Sequence, residues 1–160
     1  MKYIKYVNFK LGKIGIVEEN GKIVKIVIIN KNDENNKNVD DFIEKDTKLL
    51  VKAKNELEEY FEGKRKEFDL PLKQEGTEFQ KKVWNALSKI PYGETRTYKE
   101  IAKMIGNEKA SRAVGMANNK NNIPIIIPCH RVIGSNGKLV GYALGLDMKQ
   151  YLLDLESKNK

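Results

Sequence analysis

Residues 123–131, IPIIIPCHR, constrain the fold of this chain more than any other stretch. Pro124 and Pro128 bracket an apolar run, and proline lacks the backbone N–H that helices and sheets use. A short apolar run between such residues predicts a buried strand. Because Pro128 disfavours continuing regular structure, we expect Cys129 and His130 to be held rigidly just beyond the end of that strand, facing a cleft.

Cys129 and His130 are the only cysteine and the only histidine of the chain. A lone cysteine is more often a buried structural residue. Imidazole, however, is the side chain best able to take a thiol proton near neutral pH, and a thiol becomes a strong nucleophile only as thiolate. Adjacent strand residues point to opposite faces. The pair therefore needs a turn, the first turn of a helix or a water between its members, and we expect a relayed proton transfer.

Charge and composition narrow the classes of partner and cofactor. The 160 residues carry 30 Lys and Arg against 22 Asp and Glu, a formal charge of +8, which suits nucleic acid or an anionic membrane surface and also fits a merely soluble lysine-rich protein. One cysteine excludes an internal disulfide, and one histidine leaves little for a metal site, so we expect no metal and no cofactor. No apolar run approaches the roughly 20 residues of a membrane span, and the start lacks a signal-peptide core, so we expect a cytoplasmic protein.

The first half predicts a small α/β domain. β-Rich segments fill residues 1–30, and Asn20-Gly21 between two of them is a strong hairpin signal. A polar stretch at 30–41 predicts a loose loop, and helical spacing of apolar residues predicts a helix over 47–62 that Gly63 ends. An extended linker around 64–76 follows. We therefore expect an α+β protein with domains at 1–72 and 73–160.

The second half predicts a winged helix-turn-helix. Thr77 with Gln80, and Thr97 with Glu100, have capping-box spacing and each should open a helix. Helical character resumes over 108–118 after Gly106, and two short helices joined by a tight turn predict a helix-turn-helix, although an ordinary helical hairpin is commoner. A hairpin over 131–142 would form the wing, and a last helix is expected over 146–156.

These features together resemble one known family. The sequences IPCHRV at 127–132, SRAVGMANNKNN at 111–122, PYGETRTY at 91–98, and GY followed by GL within 141–146 are similar to those of the O6-alkylguanine-DNA alkyltransferases. These proteins accept an alkyl group from damaged guanine irreversibly onto their own cysteine. The resemblance runs without gaps from about residue 77 to 156, and the first half fits only in its βα organisation, which is ribonuclease-H-like in the family.

The resemblance implies catalytic roles for four residues. Cys129 would be the alkyl acceptor, His130 its general base through a water, and Glu156 the residue that orients His130. Asn121 would brace the turn before the active-site strand. The implied partner is double-stranded DNA that contains O6-alkylguanine, with O4-alkylthymine as a second candidate lesion, approached through the minor groove by a monomer.

The resemblance also implies a set of DNA- and base-binding residues. Tyr98 would contact the flipped base, and Arg112 would fill the gap that this base leaves. A base buried in a duplex must be extruded before chemistry can reach it. The expected set is Tyr98, Ser111, Arg112, Ala113, Arg131, Val140, Tyr142, Ala143 and Leu144.

Three differences within the family bear on function. The zinc ligands of some members have no counterpart here. Ala143 stands where many relatives have Ser, and Leu144 where some have Gly, so a bulkier and less polar pocket rim is expected. One branch of the family lacks the acceptor cysteine and only binds lesions, and Cys129 places this chain outside it.

Other functions fit parts of the sequence. A winged helix-turn-helix module without chemistry explains the charge and residues 97–142, but it leaves Cys129 and His130 without a purpose. A Cys–His hydrolase explains those two residues and neither the helix pair nor the charge. A non-catalytic partner-binding domain is a more distant alternative.

Overall fold

The N-terminal unit is built on a mainly antiparallel sheet, in which only the short edge strand pairs in parallel. The computed structural model describes residues 1–30, 41–137 and 145–160, which form two compact units, Met1–Gln74 and Glu75–Lys160. Strands β1 (Lys2–Phe9), β2 (Gly12–Glu19), β3 (Lys22–Asn30) and β4 (Ile43–Glu44) pair in the order β3-β2-β1-β4. The predicted hairpin is confirmed, because Asn20 and Gly21 have φ of 52° and 76°, as its type I′ turn requires. The predicted loop at 30–41 lies almost entirely outside the described residues.

One helix covers this sheet, as its apolar spacing predicts. Helix α1 (Lys48–Phe61) starts at Thr47, whose hydroxyl accepts a hydrogen bond from the amide of Leu50. Its apolar face packs against β1 and β2 and buries Leu50, Ala53, Leu57 and Tyr60. Residues 71–73 of the expected linker are extended, and Ile23 exchanges backbone hydrogen bonds with Pro71 and Lys73.

The second unit is helical, and its first two helices begin at the predicted capping boxes. Helix α2 (Glu78–Leu87) is capped by Thr77 with Gln80, and α3 (Tyr98–Met104) by Thr97 with Glu100. In each box a threonine hydroxyl and an acidic or amide side chain satisfy amides that have no partner inside the helix. Helix α4 (Ser111–Asn119) packs on both α2 and α3.

Helices α3 and α4 form the predicted helix-turn-helix, with one difference in length. Gly106, at φ 80°, follows the end of α3, as expected. The second helix begins at Ser111 and not near residue 108, because residues 107–110 close a separate turn through a hydrogen bond from the Ala110 amide to the Asn107 carbonyl, 3.0 Å.

The strand predicted for residues 125–127 is wrong. Ile125 has φ 74°, and the Ile126 amide donates to the Pro124 carbonyl at 2.9 Å, the pattern of a γ-turn. A second turn of this size follows, because the Cys129 amide donates to the Ile127 carbonyl at 2.8 Å across Pro128. Two prolines remove the donors that a strand ladder needs, so the chain closes its hydrogen bonds locally.

A 3₁₀ turn and a short parallel pair replace the expected start of the wing. Residues Cys129–Arg131 form the 3₁₀ helix, and strand β6 (Val132–Ile133) then pairs in parallel with β5 (Arg96–Thr97). The Asn136-Gly137 turn is formed, with Gly137 at φ 78°. The remainder of the predicted hairpin, residues 138–142, lies outside the described residues.

The last helix is longer than the spacing predicts. Helix α5 (Leu146–Asn159) buries Met148, Lys149, Leu152 and Glu156 along one face. Leu146 is 49% exposed and does not belong to this face. Helices α1 and α5 have 14 residues each, and no helix in the described ranges is long and apolar enough to cross a membrane.

The cap of α3 is a testable contributor to stability, and Tyr98 is the first residue of that helix. Thr97→Ala removes the hydroxyl that accepts from the Glu100 amide at 3.0 Å, so we expect it to lower the free energy of unfolding by about 1 kcal/mol. Urea titration followed by fluorescence of Trp84, the only tryptophan and part of the same unit, measures this change. Thr97→Ser keeps the hydroxyl and is the control, and an equal loss for both variants would contradict the cap.

Candidate active site

Cys129 is held by its backbone from both sides. It is the first residue of the 3₁₀ helix and is only 4% exposed. Its amide donates to the Ile127 carbonyl, and its own carbonyl accepts from Nδ2 of Asn118 at 3.2 Å. Cys129 therefore has little freedom to reorient. Of the arrangements expected for Cys129 and His130, the chain adopts the turn.

Asn121 braces the turn that precedes Cys129. Its Nδ2 donates to the Ile127 carbonyl at 2.9 Å, and its Oδ1 accepts from the Ile123 amide at 3.0 Å. Both ends of the amide thus hold the backbone around the unusual conformation of Ile125. Asn121 therefore lies against the backbone of this turn.

His130 and Glu156 meet in the interior of the unit. Nε2 of His130 lies 2.7 Å from Oε2 of Glu156, and the two side chains are 0% and 1% exposed. Helix α5 contributes Glu156 and the 3₁₀ helix contributes His130. The structure therefore brings together the pair that the resemblance implies.

Arg131 completes this cluster and has a different environment from the expected DNA contact. Its Nε donates to Oε1 of Glu156 at 2.7 Å and its Nη2 to Oε2 at 3.0 Å, a bidentate pair. Nη1 donates to the Ile90 carbonyl at 2.7 Å. Arg131 is only 7% exposed, and its expected contact with DNA stays a prediction.

The charges of this cluster determine which nitrogen of His130 can accept a proton. Burial opposes ionisation of Glu156, but hydrogen bonds and charge from His130 and Arg131 outweigh it and hold its pKa well below the usual range. Burial, helped by the charges of Arg131 and Lys149, lowers the pKa of His130. An ionised carboxylate only accepts hydrogen bonds. Nε2 of a neutral His130 therefore carries the hydrogen, and Nδ1 presents its lone pair.

Tyr98 and Lys149 lie near Cys129 and near each other. Burial, and then the charge of Cys129, raises the pKa of Tyr98, so its hydroxyl stays protonated at neutral pH. Lys149 is fully buried, its Nζ donates to the Val132 carbonyl at 2.5 Å, and burial lowers its pKa to about 8. Its Nζ is 5.9 Å from the centre of the Tyr98 ring. The site thus holds a proton donor and a cation in the surroundings of the thiol.

The residues expected to reach DNA lie on the exposed side of α4. Arg112 and Ala113 are exposed, and Ser111 is half-buried at the start of the helix. Met116 and Lys120 follow Arg112 at intervals of four residues and are also exposed, so they extend the same face. The other expected pocket residues lie outside the described residues: Val140, Tyr142, Ala143 and Leu144.

Two site residues escaped the sequence interpretation, and a third, Arg131, was expected only as a DNA contact. Asn118 falls in the buried stripe of α4 with Val114 and Ala117, and Lys149 falls in that of α5 with Leu152 and Glu156. A polar residue at an apolar position of a helical pattern is the signal that could have revealed both of them. The role of Arg131 had no such signal, because its contacts involve residues 25 and 41 positions away.

The donor set does not suggest a resident metal. In the part of the chain that the structure describes, no group of three His, Cys, Asp or Glu side chains could hold a metal ion. His130, Arg131 and Glu156 are instead joined to one another by hydrogen bonds.

Comparisons with known proteins agree with this arrangement. A family model described as "6-O-methylguanine DNA methyltransferase, DNA binding domain" matches residues 78–158, and one described as its ribonuclease-like domain matches residues 1–74. A methylated-DNA–protein-cysteine methyltransferase of Bacillus subtilis is 46% identical over 158 residues, 98% of this chain and 96% of that protein. One of Methanosarcina acetivorans is 71% identical over 104 residues, 65% of this chain and 67% of that protein.

A solved structure extends the comparison to the whole fold. The structure of Mycobacterium tuberculosis OGT in complex with DNA is 39% identical and has a TM-score of 0.86, with 98% of this chain and 94% of that chain covered. Both halves of this chain are matched, including the first half, where the sequence patterns alone were weakest. The chain therefore belongs to the 6-O-methylguanine DNA methyltransferase family, whose members repair DNA by moving an alkyl group onto a cysteine of the protein.

Proposed function

We propose that this DNA-repair methyltransferase accepts the alkyl group of O6-alkylguanine on Sγ of Cys129. The observation that supports this most strongly is the position of the only cysteine, buried and directly before a histidine that is hydrogen-bonded to an ionised glutamate. The relatives' name, methylated-DNA–protein-cysteine methyltransferase, supports the same reaction class. The whole proposed site lies within the unit Glu75–Lys160.

The proposed reaction is one displacement at the alkyl carbon. The thiol proton passes through a water to Nδ1 of His130, and the thiolate then forms a bond to the alkyl carbon while the bond from that carbon to O6 breaks. Guanine leaves with the electron pair of that bond and needs a proton. Tyr98, whose pKa is raised, is a suitable donor near the leaving group. The thioether has no good leaving group, so the protein is consumed.

The exposed face of α4 is the proposed contact with duplex DNA. A formal charge of +8 favours a polyanion, and Arg112 lies on the exposed side of the second helix of the helix-turn-helix. A complex of the M. tuberculosis relative with DNA supports this partner. We propose that α4 enters the minor groove and that the lesion is flipped out, with Arg112 occupying the space it leaves. We further propose that the protein acts as a monomer in the cytoplasm, where a lone thiol stays reduced.

Stoichiometry tests the proposed function directly. Incubation with excess duplex containing O6-methylguanine should add one methyl group to each protein molecule, detected by intact mass and located on Cys129 by peptide mapping. Cys129→Ala should abolish transfer and leave DNA binding largely intact. Continued turnover by one protein molecule would favour a hydrolase, and an unmodified mass would favour a binding module without chemistry.

Activation by the buried pair predicts losses at two residues. His130→Ala should slow transfer by roughly 10²–10⁴-fold, the usual contribution of a general base. Glu156→Gln should also slow transfer. The neutral amide replaces the ionised carboxylate that accepts the Nε2 hydrogen of His130, so the imidazole is held less firmly in the tautomer that leaves Nδ1 as the base. Because the pKa of His130 is lowered, Nδ1 becomes protonated only at a pH below the ordinary pKa of histidine. The transfer rate should therefore fall only at such a low pH. Single-turnover rates across pH measure this, and a wild-type rate for His130→Ala would rule the relay out.

Variants at Arg112 and Tyr98 distinguish extrusion of the base from the transfer reaction itself. Arg112→Ala should slow reaction with duplex DNA far more than reaction with the free modified base, which needs no extrusion. Tyr98→Phe removes only a hydroxyl and should slow both reactions. Lys120→Ala, on the same exposed face, is the control for phosphate contacts and should change only affinity and its salt dependence. Equal losses on both substrates for Arg112→Ala would mean that Arg112 shapes the pocket or the fold.

A further inference from the structure

Two buried polar atoms beside Cys129 have no hydrogen-bond partner in the described ranges. One is Nδ1 of His130, and the other is Oδ1 of Asn118. His130 is 0% exposed and Asn118 is 1% exposed, so neither atom is exposed to bulk solvent. Leaving a buried acceptor unpaired is costly, and buried polar groups nearly always have a partner.

The orientation of the Asn118 amide follows from its other contact. Its nitrogen faces the Cys129 carbonyl at 3.2 Å, and a carbonyl oxygen can only accept. The nitrogen must therefore occupy that position, and Oδ1 is left as an acceptor. Nδ1 of His130 is also an acceptor, because Nε2 carries the hydrogen that is donated to Glu156. Two acceptors cannot satisfy each other, so a donor must lie between them or beside each.

The backbone brings these two acceptors into the same small region. Asn118 is bonded to the carbonyl of Cys129, and His130 is the next residue along the chain. Cys129, which connects them through its carbonyl and its peptide bond to His130, carries a third polar group, its thiol. A buried water typically makes about three hydrogen bonds, and it can donate two and accept one. We propose that one water donates to Nδ1 of His130 and to Oδ1 of Asn118 and accepts from the Cys129 thiol, so that Asn118 positions the relay water.

This inference rests on the proposed relay and adds a residue to it. When the thiol proton moves to the water, the water passes its own hydrogen to Nδ1, and the water is restored with no net change. The bond to Oδ1 of Asn118 occupies the other hydrogen. These two donated hydrogen bonds fix the orientation of the water, so that one of its lone pairs faces the thiol. Asn118 acts through the water and is a positioning residue.

The remaining groups around the thiol act differently from Asn118. Lys149 on α5 and Tyr98 on α3 influence Cys129 through charge. Arg131 and Glu156 reach it through His130. Asn118 alone among these named groups is uncharged and does not titrate, so its effect on the thiol should depend entirely on the presence of His130.

Alkylation of the free protein by iodoacetamide tests this dependence without DNA. Cys129 is the only cysteine, so the rate reports that thiol alone. Asn118→Leu keeps the size of the side chain and removes both polar atoms. We expect it to raise the thiol pKa and to slow alkylation at neutral pH by about 5–50-fold, part of the roughly 10²–10⁴-fold effect of a general base. In a His130→Ala background the same substitution should slow alkylation no further.

Two outcomes would overturn the proposal. Asn118 could matter only through its bond to the Cys129 carbonyl, and then Asn118→Leu would cause the same loss with and without His130. An unchanged pH profile for Asn118→Leu would equally exclude the water contact. Fluorescence of Trp84, whose indole donates to the neighbouring Ala117 carbonyl at 2.9 Å, checks that the variant is folded.

A second variant keeps the test valid if Asn118→Leu fails to fold. Asn118→Ala also removes both polar atoms and places no bulkier or charged group beside the Cys129 carbonyl. Its loss in alkylation rate should again require His130, so a double-mutant cycle with His130→Ala should show coupling. Equal losses with and without His130 would contradict the water contact. Methyl transfer from DNA is measured separately, so failure of that reaction would reject the proposed function without deciding the role of Asn118.

Discussion

The hydrogen bonds that the Glu156 carboxylate accepts are the interactions on which the rest of the active-site unit depends. It accepts from His130, twice from Arg131 and from the Gly93 amide at 3.3 Å. These bonds connect α5, the 3₁₀ helix and the segment after α2. A buried carboxylate is costly unless it is paired and hydrogen-bonded, and this one uses both oxygens fully. Its ionisation in turn determines the tautomer of His130 and so leaves Nδ1 free to act as a base.

Burial is the main reason that His130 stays uncharged, and Arg131 contributes by neutralising Glu156. A lone buried carboxylate beside an imidazole would favour the imidazolium, which cannot accept a proton. Arg131 supplies the opposite charge, and burial then lowers the pKa of His130. Truncating one partner of a buried pair is strongly destabilising, because the other charge is left uncompensated. Arg131 therefore serves both the stability of the unit and the chemistry of its neighbour.

The turn before Cys129 shows how the backbone contributes to the same site. A β-branched residue at positive φ, such as Ile125, is strained, and such strain persists only where the surroundings impose it. Here Asn121 bonds the backbone on both sides of Ile125, and the Ile125 side chain is 1% exposed. The strained turn directs the chain into the 3₁₀ helix, so that Cys129 and His130 occupy successive positions of a turn and not opposite faces of a strand.

The sequence by itself determined the local elements, and the family resemblance predicted which residues react. Capping boxes at Thr77 and Thr97 and the turn at Asn20 depend on neighbours within four residues, and the family resemblance identified Cys129, His130 and Glu156. Only the tertiary structure decided that residues 125–127 form no strand, that Arg131 binds Glu156 and that Asn118 holds the Cys129 carbonyl. The last two contacts join residues 25 and 11 positions apart. Periodicity and propensity report only on near neighbours, so they carry no information about such contacts.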